Sequence, residues 1–590
     1  MEFYSTRKAA FVTELNTHKS KYNTISAARL VVAIAFLILG FYSIKSEDSS
    51  GYVYGMLVCA IAFFVLMRLH TAVSQKKERA AALVKVNEQE IAYLSGTGMA
   101  FANGAEFTDY THPYSHDLDI FGERSLFQNL NRTETFKGKQ KLADLLLNVL
   151  PQTEILKNQL AIKELAAKPE WRQEVMALGK TNKDGATVYN KLMGWVNNGA
   201  TPISNLAGKI AIIAPVALVL SLIAYVFTDN DTYLNAVGYL IGFNLIFILG
   251  YVKFIKNEIN DTTEIHTIIH NYSQVISQLE NEEFESEKLQ SLQAQLISGG
   301  QKASTQIKKL AVLFSQMDTV SNVIGAAFFN GLFLYHFHIL KALLNWKKDH
   351  AQNVNLWLDT IAEAEALSSF ANLYYNNPDF TFPTLNTNNV IAFKDLAHPL
   401  IKKQVRVGNT INFNPGFTIL TGSNMSGKST FLRSLGINMV LAGAGAPVCA
   451  SAAVVHPLPV LVSMRLSDSL SDSESYFFAE IKRLRQIMDA LQNQRAFVLL
   501  DEILRGTNSD DKQMGTIKVI KRMMGFNAVG AIATHDIEVC DTTLQYPESL
   551  VNRCFEVQII DNELYFDYQL RDGICKNKSA TFIMEKMGVV

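Results

Sequence analysis

Four stretches of the chain are almost free of charge, and they come in two closely spaced pairs. Residues 28–44 and 52–69 form the first pair, around a short loop holding Lys45, Glu47 and Asp48. Residues 210–227 and 233–252 form the second, around the acidic loop Thr228-Asp-Asn-Asp-Thr232. Each run approaches the ~20 apolar residues that a helix needs to cross the hydrocarbon core of a bilayer, so the pattern predicts four transmembrane helices in two hairpins. Between and after them, residues 71–208 and 254–380 show helical periodicity, as in Glu283–Leu296 and Trp357–Tyr375. From about residue 390 the period changes: apolar runs such as Phe417–Gly422 and Ala496–Glu502 alternate with helical stretches, the pattern of a parallel sheet with crossover helices. The asparagine- and proline-rich stretch 376–389 marks the boundary.

This predicts an α/β domain with a mainly parallel sheet and flanking helices, an all-α core and lever region, and the two hairpins. The expected division is 1–27 as an N-terminal segment, 28–69 as the first hairpin, 70–208 as helical core, 209–253 as the second hairpin, 254–385 as the helical return, and 386–590 as the α/β domain. Basic residues flank the hairpins on their open sides (Arg7, Lys8, Lys19, Lys21, Arg29, Arg68, Lys76, Lys77, Arg79, Lys209, Lys253, Lys256), whereas both loops are acidic on balance. The asymmetry of Lys and Arg sets both loops outward and leaves the large segments in the cytoplasm of a multi-pass inner-membrane protein. A fifth apolar stretch, Val323–Trp346, carries Asn330, His336 and His338 and reads as a buried or interfacial helix. Its histidines read as packing residues, since no Cys or carboxylate stands at ligand spacing.

Composition adds little to this picture but excludes several classes. With 590 residues there is room for about four structural units. The charged fraction of 18% lies below the usual ~25%, and mean hydropathy is +0.09, as the apolar runs require. Lys+Arg 54 against Asp+Glu 55 leaves a net charge of -1, so any nucleic-acid contact would be a local patch. Five scattered cysteines without a CxxC pair argue against a disulfide framework or a zinc site, and for a reducing compartment.

The strongest chemical signal is Gly422-Ser423-Asn424-Met425-Ser426-Gly427-Lys428-Ser429, followed by Thr430, placed between an apolar strand and a helical run. Glycines let the backbone aim its N–H groups at phosphate oxygens. The following helix adds its positive end, Lys428 reaches the β- and γ-phosphates, and the Ser429 hydroxyl suits Mg²⁺. About 75 residues on, Phe497–Glu502 ends in two carboxylates. Asp501 can hold Mg²⁺ and Glu502 can take a proton from an attacking water. A third strand, Ala528–Ala533, runs into Thr534-His535-Asp536, placing His535 where open α/β sheets bind ligands, as a γ-phosphate sensor.

On these residues the sequence resembles the MutS family of DNA mismatch-repair ATPases. The likeness rests on residues 421–434, Gly445–Ala450, 468–484, 499–511 and 533–536, with weaker likeness at 119–147 and 357–378. The resemblance implies an ABC-type ATPase that binds ATP with Mg²⁺ and works as a dimer through its ATPase domains on double-stranded DNA. Ser475 would contact the γ-phosphate held by the opposite protomer, and Asn508, Asp510 and Asp511 would line the dimer interface. His398-Pro399 resembles the pair that opens the ATPase domain. Three departures stand out: Ser473 replaces the signature glycine; Val405 and Arg406 stand near the place of the adenine-stacking aromatic; and the chain stops soon after residue 584 without a helix-turn-helix, so dimerisation would rest on the ATPase faces. A membrane hairpin stands where the family has its mismatch-reading domain, and Phe121-Gly-Glu123, inside the helical core, reads as a chance match to the reader's motif. Two functions remain open: an ATPase tethered to the membrane that engages DNA, or one without DNA binding whose closure moves its hairpins in membrane remodelling or transport.

Overall fold

The computed structural model describes residues 1–575 except 47–48, 181–183, 200–201, 260–261, 319–322, 415, 424, 466–475 and 561–562. The first apolar hairpin is far longer than its apolar core. Helices Glu2–Lys45 and Ser50–Ser95 have 44 and 46 residues, roughly 65–70 Å each at about 1.5 Å per residue. Residues 1–27 and 70–95 are therefore not separate segments, as the periodicity suggested, but the polar lower halves of the hairpin's own arms. Nothing breaks either arm until Gly96, which takes the left-handed conformation at φ 74° and ends the second.

The base of this stalk is clamped by buried polar groups. Tyr4 is 2% exposed, and its hydroxyl donates to Asn376 Oδ1 at 2.9 Å. Glu90 and Arg132, 2% and 3% exposed, form an ion pair at 2.5 Å, and Asn372 Nδ2 donates to Glu90 at 3.1 Å. Asn372 and Asn376 belong to the 42-residue helix Tyr335–Asn376, the lever that leads into the α/β domain. Stalk and lever thus meet at one joint.

The second hairpin consists of Asn205–Thr228 and Asp231–Leu249. Its tight turn has a local cause: Asp229 adopts φ 48° and closes the first helix, and Asn230 Oδ1 accepts from Thr232 N at 3.0 Å to cap the second. The second helix stops at Leu249 rather than at residue 252, because the chain turns at Gly250 into Val252–Ile259. Among the described residues, four helices are long and apolar enough to cross a membrane. The fifth apolar stretch is not one helix. Val323–Phe333 and Tyr335–Asn376 meet at Leu334, which sits at φ 49°, with a 78° bend between them. His336 and His338 make internal contacts, to Asn330 at 2.7 Å and to the Ala211 carbonyl at 3.0 Å. Among the described residues no metal-binding cluster occurs.

The α/β domain is built on a six-stranded sheet in the order Glu563–Asp572, Leu550–Ile560, Phe417–Gly422, Val529–Ala533, Phe497–Asp501, Val460–Ser463. All neighbours are parallel except the outer pair Leu550–Ile560 and Glu563–Asp572. Alternate residues of Phe497–Asp501 enter cores on opposite faces, Phe497 and Leu499 on one and Val498 and Leu500 on the other, which is why the strand is apolar throughout. Helix Lys428–Ala444 covers the first face and helices Tyr476–Asn493 and Ser509–Gly525 the second. A smaller sheet joins Thr384–Leu385, Ala452–Val455, Ala392–Leu396 and Asn409–Asn412, so the α/β domain already begins before residue 386. Phe121 packs with tilted rings against Phe107 and Phe127, with centroids 5.8 and 5.6 Å away, half-buried against the core.

Candidate active site

Three neighbouring strands deliver the chemistry because parallel strands end their chains on the same edge. Phe417–Gly422 is central and wholly buried, and it leads through residues 423–427 into helix Lys428–Ala444. Two glycines make the loop possible. Gly422 has φ 155°, and a Cβ there would lie 2.8 Å from the Phe555 carbonyl oxygen; Gly427, at φ 100°, would meet the Tyr568 ring at 3.0 Å. Met425 also adopts φ 67° and stands 74% exposed at the loop's tip. Ser426 and Lys428 are buried, whereas Ser429 and Thr430 open the helix facing solvent. Lys428 Nζ donates to Gly422 O at 2.8 Å and Ser423 O at 3.0 Å. Burial depresses its pKa, against the pull of Glu502 and Asp501.

The adjoining strand ends bring the acidic groups to the same place. Asp501 is 7% exposed, and its Oδ1 is buried without a hydrogen-bond donor. A carboxylate oxygen left so, near Lys428 at the phosphate loop, fits a divalent cation. Glu502 sits at φ 50°, held by its own N–H donating to Ala533 O at 2.9 Å. Its carboxylate lies 2.6 Å from His535 Nε2 and 3.3 Å from Arg505. The bond to His535 chiefly holds the Glu502 pKa down, to about 2. His535 Nε2 is also 3.4 Å from Lys428 Nζ. Lys428, Asp501, Glu502 and His535, separated by over 100 residues in sequence, therefore converge, as the sequence pattern predicts. Asn424, Ser473 and Ser475 lie outside the described residues.

Beside the loop opens a cavity of about 430 Å³, lined among others by His398, Ile401, Val405, Phe555 and Tyr568. Burial lowers the His398 pKa to about 4, so it presents a neutral ring. Arg406 also lines the cavity, with its guanidinium paired with Asp379 and stacked 5.1 Å over Phe380. Sequence reasoning missed Tyr568, which supplies the cavity's aromatic wall from the outer hairpin, 140 residues from the loop. Its φ of 56° was the detectable anomaly, but only in three dimensions. Also missed was Glu480, 3% exposed, which accepts from the Leu504 and Arg505 N–H groups at 2.7 and 3.0 Å and fixes the turn after Glu502. Asn508 acts locally as well: its Oδ1 accepts from Asp511 N at 2.8 Å and caps helix Ser509–Gly525, whose first turn also carries Asp510.

A glycine-rich turn from a buried parallel strand onto a helix N-terminus, with strand-end carboxylates beside it, defines the phosphate-loop class of nucleotide-binding proteins. Comparison narrows the class, since the family profile described as MutS domain V matches residues 418–589. Human MutS protein homolog 4 is 27% identical over 264 residues, covering 42% of this chain and 27% of that protein. The DNA mismatch repair protein MSH4 of Arabidopsis thaliana is 28% identical over 242 residues, covering 40% and 30%. DNA mismatch repair protein MutS 2 of Halobacterium salinarum is 30% identical over 237 residues, covering 39% and 27%. The match to MutS domain V lies within the α/β domain, and the chain spans less than a third of the length of these relatives.

Proposed function

We propose that this protein is a membrane-anchored MutS-type ATP hydrolase whose ATPase domains pair as a homodimer. The observation that carries the reading is the convergence of Lys428, Asp501, Glu502 and His535 at one sheet edge. Lys428 and the amides opening helix Lys428–Ala444 bind the phosphates. Ser429 and Asp501 hold Mg²⁺, which when bound screens the phosphate charge. Glu502 accepts the proton of the attacking water, with His535 orienting its carboxylate. Ser475 completes the site of the opposite chain, so an inactive Lys428→Ala chain mixed with an inactive Ser475→Ala chain restores hydrolysis; proven heterodimers that stay inactive refute the composite site.

Two hairpins of high hydropathy, 0% buried over the first pair's apolar windows, support anchoring in the inner membrane with the ATPase domain cytoplasmic. Coupling to duplex DNA, mismatched or not, follows the relatives from Arabidopsis thaliana and Halobacterium salinarum, whose names include DNA mismatch repair. A second reading has its own support in the joint of stalk and lever at Tyr4, Asn372 and Asn376, which ties the lever to the first hairpin, while the lever's other end packs on the second through His338 and Phe337. In that reading closure of the dimer moves the bilayer segments without DNA. ATPase rates with and without duplex DNA at two salt concentrations separate them: stimulation that weakens with salt supports DNA coupling, and an unchanged rate with no measurable DNA binding supports the second.

A further inference from the structure

Between Asp318 and Lys341 the chain carries no Asp, Glu, Lys or Arg. Within this gap helix Val323–Phe333 has 11 residues, roughly 16 Å, or half the ~30 Å hydrocarbon thickness. It packs alongside the second hairpin. A Cβ at Gly331 would lie 3.2 Å from Ile241, and Asn244 Nδ2 donates to the Gly331 carbonyl at 2.8 Å. Beyond the bend, Phe337 packs tilted against Phe247 and edge-on to Tyr251, with centroids 5.2 and 4.8 Å away. Gly331 thus stands level with the middle of Asp231–Leu249, and Phe337, beyond the bend, level with its end.

The asparagines at this contact face inward. Asn244 and Asn330 are 0% and 5% exposed, and Asn330 Oδ1 accepts from His336 N at 3.0 Å. Its large apolar groups face outward: Phe328, Phe329 and Phe333 are 60%, 41% and 47% exposed, as Phe243 and Ile246 of the neighbouring helix are at 46% and 72%. Polar groups turned to neighbouring helices and aromatic groups turned out is the arrangement expected of helices whose surroundings are lipid.

We propose that Val323–Phe333 is a re-entrant membrane helix, covered by the acyl chains of the bilayer, and that Leu334 is the point where the lever enters the membrane. This rests on the reading of the hairpins as membrane spans. Its physical content is that the lever does not end at the membrane surface: a 42-residue helix from the ATPase domain is joined by one left-handed residue to a helix lodged against the second hairpin. Any tilt of the lever is delivered inside the bilayer.

The test uses the full chain with Cys59→Ala, the remaining cysteines being buried, reconstituted in liposomes and carrying a nitroxide at Phe328→Cys. Val219→Cys in the second hairpin, 41% exposed, and Lys348→Cys on the exposed side of the lever are the references. Collision with oxygen and with an aqueous nickel chelate is read by electron spin resonance. Relaxation at Phe328 matching Val219, with the nickel effect seen at Lys348 lost, is the expected result. Nickel relaxation like that of Lys348, while Val219 reads as lipid, overturns the inference. So does shielding from both probes, which means another protein surface covers the helix. Nickel access at Val219 itself overturns the membrane reading as a whole. Should the Phe328 variant not fold, Phe333→Cys reads the same face.

Discussion

Glu502→Gln is the sharpest test of the hydrolytic site because it changes charge and leaves shape. The side-chain oxygen of Gln can still accept from His535 Nε2, now 2.6 Å from Glu502, so the turn after the strand is preserved. What disappears is the proton acceptor. General-base catalysis contributes about 10²–10⁴-fold, or roughly 3–5 kcal/mol of barrier. The carboxylate here is already held by His535 at a pKa of about 2, which makes it a weak base, so a loss near about 10²-fold is expected. Nucleotide affinity should be unchanged, in contrast to Lys428→Ala, which removes the buried ammonium that the phosphates need. The assay is steady-state phosphate release beside equilibrium binding of a fluorescent ATP analogue. His535→Ala supplies the second arm: without its hydrogen bond the Glu502 carboxyl returns toward its ordinary range near ~4.3, and an acid limb enters the rate profile at about that pH. Turnover of Glu502→Gln within about threefold of wild type at equal affinity would refute the role of Glu502.

Four further outcomes follow. Arg132→Met leaves Glu90 buried without its ion-pair partner and should cost about 3–5 kcal/mol, read as an earlier melting transition and new protease sensitivity at the base of the stalk, whereas loss of an exposed pair such as Lys8–Glu88 should leave both unchanged. Tyr568→Ala should weaken ATP binding by about 1 kcal/mol through loss of the aromatic wall while sparing triphosphate binding, read by comparing ATP with inorganic triphosphate. Burial raises the Glu365 pKa to about 7, so the folded state holds a proton that the unfolded state releases between about pH 4.5 and 7; stability should fall as pH rises through that window, and Glu365→Gln should flatten the slope in denaturant titrations. A protease added to spheroplasts should cut only near residues 45–51 and 228–232, and cleavage near residue 350 would overturn the orientation.

Features carried by neighbours in sequence were legible without a fold. The phosphate loop needs a strand, a glycine turn and a helix in direct succession, and the apolar runs announce themselves because a span's composition is set by its surroundings along one continuous segment. The carboxylates of Asp501 and Glu502 and the ring of His535 could be placed because each follows a buried strand and parallel strands end on one edge. Other features depend on contacts between distant parts of the chain. The first hairpin reads as 17- and 18-residue runs, yet its arms continue as polar helix, since their lower halves are stabilised by packing and by the Glu90–Arg132 pair rather than by a hydrophobic pattern. Val323–Trp346 reads as one apolar stretch, and only packing against the second hairpin, with Leu334 forced into the left-handed region, divides it. Tyr568 resembles any strand residue until the outer hairpin folds over Gly427. Local pattern determined the chemistry and the apolar segments of this protein. Long-range packing decided how they are joined, because hydrogen bonds and buried charges between residues some 280 positions apart leave no period in the sequence.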